Sequence, residues 1–196
     1  PVSSTVSSSE LLAGLRKFSS LSEKHDLRAE GPSQEPDSEP PLLDEGFALA
    51  QIQLVVIQKI GGESDRANRL VDLLCMVAQA DGRVDGAEEG ALAHILDALL
   101  GSHLHEAVVK HLIRSSLREI AAEGTDKRMQ AIVATLVPIG LAEETLALGI
   151  AIALASAGLS TPERAILKLF ATQAGITAAR FSAIVRRISL ELANAD

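Results

Sequence analysis

The chain has 196 residues, enough for one compact domain and an extension. Its 26 acids against 18 bases give a formal net charge of −8, which argues against DNA or RNA as the main partner, because nucleic-acid affinity rests on Lys and Arg neutralising phosphates. With no Trp, no Tyr and four Phe, base-stacking platforms are nearly excluded, and a single Cys excludes a disulfide framework within one chain and fits a reducing compartment such as the cytoplasm.

Residues 1–45 form an extension expected to be mostly disordered, with one exception. Ser9 can cap a short helix carrying Leu11, Leu12, Leu15 and Phe18 on one stripe, with Arg16 and Lys17 beside it. Such a helix is too short to be stable alone. It is either a fraying amphipathic tail or a docking peptide that folds into a partner's groove. Residues 30–45 follow with six acids, no base, and prolines at 32, 36, 40 and 41. That composition predicts a linker. No segment near residue 1 combines a basic start, an apolar stretch and a small-residue cleavage site.

From residue 46 to 196 the pattern is helix after helix. The first runs from Phe47 to Ile60 and stops at Gly61-Gly62; Ser64 or Asp65 caps the second, whose Leu70, Leu73, Leu74 and Val77 share one face before Gly82. Asp85 caps a third, carrying Leu92, Ile95, Leu96 and Leu99 and stopped by Gly101. A longer helix spans about His103 to Glu123 and ends at Gly124; the next carries Met129, Ile132, Val133 and Leu136. Pro138 and Gly140 break the pattern before an apolar helix from Leu141 to Ala157. Thr145 to Pro162 holds no charge, but its strongly apolar part, Leu146 to Leu154, is too short for a span, so it is expected to be the central core helix. Ser160 caps a helix that turns Ile166, Leu169 and Phe170 inward, and Thr177 caps the last, with Phe181, Ile184, Val185, Ile188 and Leu192 on one stripe. No segment alternates with period two. The expected fold is all-α, a single bundle of seven to eight helices.

Two helix–turn–helix units look alike. Val84, Asp85, Glu88 and Leu92 match Leu159, Ser160, Glu163 and Leu167 at a constant offset of 75, and Gly82 matches Gly158 at 76. Each unit ends a helix at a Gly and opens the next with a capping box, Asp85 with Glu88 and Ser160 with Glu163. The doubled pattern A-D-G-x-V-x-x-x-E, from Ala80 to Glu88, and G-L-S-x-P-E, from Gly158 to Glu163, resembles the tellurite-resistance TerB-like family of helical domains over roughly residues 47–190. The resemblance implies a bundle with pseudo-twofold internal symmetry, a bacterial ancestry linked to metal, oxidative or phage stress, and an acidic metal site. Carried over, that site matches Asp81 and Glu88; in the second unit Ala157 stands where the Asp should be, leaving Glu163.

Asp81 sits where a helix ends, and a carboxylate there opposes the macrodipole by about 0.3–1 kcal/mol. An Asx-type turn would offset this, and is the favoured reading. The alternative is a divalent cation held by Asp81 with Asp85 and Glu88. An EF-hand register fails, since Arg83 and Leu92 occupy ligand positions. His103 and His105 point apart on a helix, so with His94 and His111 they are expected to form a solvated cluster. Cys75 lies in an apolar helix and is expected to be a buried, inert thiol. Arg180, Arg186 and Arg187 give the last helix a basic flank, either solvated or a dock for an acidic segment. No nucleophile elbow, phosphate loop or dinucleotide fingerprint is present in the sequence, so no catalytic constellation and no cofactor are expected. Three functions fit: a non-enzymatic protein-interaction module in a stress-response or envelope-associated assembly, an acidic metal-binding or metal-sensing domain, and an accessory subunit of a large complex anchored by Leu11, Leu12, Leu15 and Phe18. None requires a membrane span, and association with a membrane complex is compatible with all three.

Overall fold

The computed structural model describes residues 49–60, 63–82, 84, 90, 92–93, 96–97, 106–156 and 158–194. The expected helices around Leu11 and Phe18, and the capping box of Asp85 with Glu88, lie outside the described residues. Within them run seven helices: α1 (Leu49–Ile60), α2 (Ser64–Ala78), α3 (Glu106–Glu123), α4 (Thr125–Leu136), α5 (Ala142–Ser156), α6 (Thr161–Gln173) and α7 (Ala178–Asn194). Gly90, Leu92, Ala93, Leu96 and Asp97 are helical as well, and Leu92 and Leu96 are fully buried, as the apolar spacing requires. No strand occurs among the described residues, and the fold is all-α.

Two helices form the centre. Every residue of α2 from Leu70 to Val77 is buried, and so is every residue of α5 from Thr145 to Ala153. The burial of α5 matches the expectation that it is the core helix, and ends one residue sooner, because Leu154 is only partly covered. Among the described residues no helix is long and apolar enough to cross a membrane. Helices α3 and α4 pack on α2, α1 and α7 pack on α5, and α6 touches both central helices. Besides α1 and α7, the neighbours of α5 include the helices of Leu73 and Phe170.

The caps show where local chemistry sets the boundaries. Ser160 accepts from the Glu163 amide at 3.4 Å while the Glu163 carboxylate accepts from the Ser160 amide at 2.8 Å, a complete capping box with Pro162 just inside the helix. Thr177 Oγ1 accepts from the Arg180 amide at 3.2 Å, as expected. The cap expected at Ser64 or Asp65 is corrected: Glu63 occupies the N-cap without a side-chain hydrogen bond, Ser64 is already helical, and Asp65 acts in the first turn on the macrodipole. The two repeat turns also differ. Gly158 adopts φ +91, open to glycine, whereas Gly82 stays outside the left-handed region and donates to Gln79 O at 3.1 Å in a tightened continuation of α2.

The centre is tightest where α5 crosses α2 and α6. A Cβ built on Gly149 meets Leu167 Cδ2 at 2.8 Å and Val77 Cγ2 at 3.7 Å, so the missing side chain sets the helix separation. Leu167 is fully buried, so relieving this contact requires the end of its side chain to shift within the core. Gly149→Ala is therefore expected to lower the melting temperature, since overpacking at about 1–3 kcal/mol outweighs the roughly 0.5–1 kcal/mol gained by replacing a helical Gly. A melting temperature that rises would show the crossing to be loose.

Candidate functional site

The polar centre of the molecule is a carboxylate inside the apolar run of α2. Asp72 points toward α3 and α4, and its side chain is 1% exposed. Its Oδ1 accepts from Ser116 Oγ at 2.6 Å and, more distantly, from Arg128 Nη2 at 3.5 Å; its Oδ2 accepts from Arg69 Nη1 at 3.0 Å. Arg128 Nε also lies 3.0 Å from Oδ2, but its N–H is not aimed at that oxygen. The contact is therefore Coulombic rather than a hydrogen bond. Arg69 Nε is a second buried donor left without a hydrogen-bond acceptor.

Gly124 makes this convergence possible. At φ +84 it turns the chain sharply between α3 and α4, so that Arg128, one turn into α4, folds back over the end of α3. There its guanidinium, 7% exposed, ion-pairs with Glu119 through Nη2 and lies 3.6 Å from Glu123 through Nη1. Glu119 is 47% exposed, and Ser115 Oγ donates to its Oε1 at 3.2 Å. Asn68, Arg69, His111, Ser115, Glu119 and Arg128 line a cleft of about 250 Å³ that opens from this network to the surface. Two buried or half-buried guanidiniums face one buried carboxylate, and the balance is supplied from the rim by Asp65, 3.5 Å from Arg69, and by Glu119 and Glu123.

The sequence-derived sites fare unevenly. Asp81 is exposed in the turn after α2, and Arg83 and residues 85–89, whose amides an Asx-type turn or helix cap would use, lie outside the described residues. Asp85, Glu88, His94, His103 and His105 lie outside the described residues, as do Leu11, Leu12, Leu15 and Phe18. Among the described residues no group of three His, Cys, Asp or Glu is placed to hold a metal ion. Cys75 is buried, as expected, and forms no disulfide, and His111 is exposed at the cleft. The basic flank of α7 is largely internal chemistry. Arg180 makes a bidentate pair with Glu143 at 2.8 and 2.6 Å, and Arg187 Nε donates to Glu191 at 2.8 Å. The other oxygen of Glu191 accepts from the Leu49 amide at 2.8 Å and ties α1 to α7.

The Asp72 network was missed by periodicity, although one signal was present: an acid in the middle of the apolar stretch Leu70–Val77, with Arg69 beside it. A buried polar residue is the informative exception to apolar patterning.

These features define an all-helical bundle with two buried central helices and a charge network where one of them meets two others. The family model described as tellurite resistance protein TerB matches residues 67–187, more than half the chain, and the protein belongs to that family. The match begins in α2 and ends in α7, so it covers both repeat units and the Asp72 network. No curated protein and no solved structure matches the chain.

Removing one partner of a buried pair leaves an uncompensated charge, so Asp72→Leu is expected to destabilise the bundle by about 3–5 kcal/mol. Pairing it with Arg128→Met should recover part of that loss, with a coupling of about 0.5–3 kcal/mol in a double-mutant cycle. Urea unfolding of the four proteins measures it, and strict additivity would mean that the two side chains are energetically independent.

Proposed function

We propose that this TerB protein is a non-enzymatic protein-interaction module within a stress-response or envelope-associated assembly, and that residues 9–19 are its docking peptide. The observation that carries the proposal is the stripe of Leu11, Leu12, Leu15 and Phe18, set apart from the bundle by the acidic, Pro-rich stretch 30–45. Four apolar side chains on one short helical face contribute about 1.5–3 kcal/mol each when buried, and a linker of that composition supplies reach. The chemistry of the cleft supports a role other than catalysis. The carboxylate of Asp72 is committed to Ser116, Arg69 and Arg128, which leaves it unsuited to accept a substrate proton.

The competing arrangement is a stripe folded onto the chain's own bundle. In the full chain, Leu15→Glu with Phe18→Glu is expected to abolish recovery of partner proteins while leaving the melting temperature of the bundle unchanged. A lowered melting temperature would assign the stripe to the chain's own core and end the docking proposal.

One observation favours a second reading, a divalent-cation site on Asp81, Asp85 and Glu88. The Asp81 carboxylate is exposed at the end of a helix, where its charge is unfavourable. A cation bound only by the folded chain raises the melting midpoint. On this reading Ca²⁺, Mg²⁺ or Zn²⁺ raises the midpoint of the native protein and not that of Asp81→Asn. Equal shifts in the two proteins, or none, would count against it.

A further inference from the structure

The cleft beside Asp72 already holds an anion, and that anion belongs to the chain. The Glu119 carboxylate is gripped by Arg128 Nη2 and by the Ser115 hydroxyl, a charge-assisted pair and a neutral donor converging on one oxyanion. The two partners differ in how firmly they are fixed. Arg128 is buried and oriented from behind by Asp72, so its guanidinium remains in place whatever occupies its outer face. Glu119 is half exposed on the surface of α3 and can leave by changing rotamer. The remaining wall supplies polar groups, Asn68 and His111 among them, and the volume of about 250 Å³ is many times what one water needs.

We infer that this cleft is a binding site for an oxyanion, a phosphate or carboxylate group, which takes the place of the Glu119 carboxylate on Arg128 and Ser115. Asp72 is the positioning residue that orients the guanidinium, and Glu119 is the intramolecular occupant that weakens capture in the resting protein. The group is either a free anion or the acidic side chain of another protein, and the chemistry of capture is the same for both.

The experiment is a titration of the full chain with inorganic phosphate at constant ionic strength, followed by amide chemical shifts. Glu119→Gln removes the competing charge at a half-exposed position. Glu63→Gln, an exposed acid at the start of α2, removes an equal charge elsewhere. The expected result is a saturable shift centred on Ser115, residue 119 and Arg128, about tenfold tighter in Glu119→Gln than in the native chain, as follows when a competent state is populated about one-tenth of the time. Glu63→Gln should match the native chain. Adding Ser115→Ala to Glu119→Gln should weaken binding again. If Glu119→Gln fails to fold, the native chain carried to high phosphate must still shift Ser115 and Arg128 before other amides. Parallel titrations with acetate and with an Asp- and Glu-rich peptide separate the sources: tighter capture of the peptide assigns a protein side chain, and equal or weaker capture assigns a free anion. A response that does not saturate, or an equal gain in Glu63→Gln, would overturn the site.

Discussion

A carboxylate buried in the middle of an apolar helix persists only if opposite charge and donors come to it, and most of one side of this bundle follows from that requirement. Asp72 sits among seven buried apolar residues of α2. To hold it, the chain brings Ser116 from α3, Arg128 from α4 and Arg69 from its own helix. Each contact fixes one degree of freedom: the hydroxyl sets how close α3 lies, the guanidinium sets how α4 folds back after Gly124. Apolar contacts alone would tolerate sliding of these helices; a network of this kind has few arrangements that satisfy it. Its worth therefore lies in the choice of arrangement, since a buried ion pair is weak grounds for net stability.

The other side of the bundle meets the same packing problem without charge. By the offset of 76 that aligns Leu74 with Ile150, Asp72 corresponds to Leu148, which is buried in α5 with no polar group to serve. Leu73 corresponds to Gly149, and these two meet at the crossing of the central helices, where a Cβ on the glycine would lie 4.0 Å from Leu73 Cδ2. One unit places a large side chain at the crossing and the other leaves the room for it. Burial is alike at two other matched pairs: Leu92 and Leu167 are fully covered, Val84 and Leu159 partly so. The turns diverge, with glycine in the left-handed region only at Gly158 of the two.

The fold was legible because its signals are local. Stripes at three- and four-residue spacing, glycines at helix ends, and the Ser160 and Thr177 caps each report on a few neighbouring residues, and each places an element correctly. The misplaced cap at Ser64 shows the limit, since several polar residues near a helix start can serve and tertiary contacts choose among them. The cleft was far less legible. Asp72 stands out in an apolar run, but Arg128 does not: it follows Asp126 and Lys127 in a polar turn, and only the reversal at Gly124 distinguishes it from its solvated neighbour. A site assembled from i and i+56 by a glycine hinge leaves no periodic trace. Family resemblance rested on the turn motifs, and none of the network's residues lies within them.

The network divides into two layers that do different work. The inner layer, Asp72 with Ser116 and the guanidiniums, is shielded from water and cannot be altered without disturbing three helices. The outer layer, Glu119 and Glu123, lies on the surface of α3 and neutralises what the inner layer leaves over. Exchange in the outer layer leaves the inner hydrogen bonds intact, because none of Asp72's acceptor positions depends on Glu119. The surface of a cationic group held rigidly from behind is preorganised for an anion, and preorganisation is what reduces the ordering cost of binding. The constraint that fixes the helices thus also fixes the guanidinium of Arg128 at the wall of the cleft.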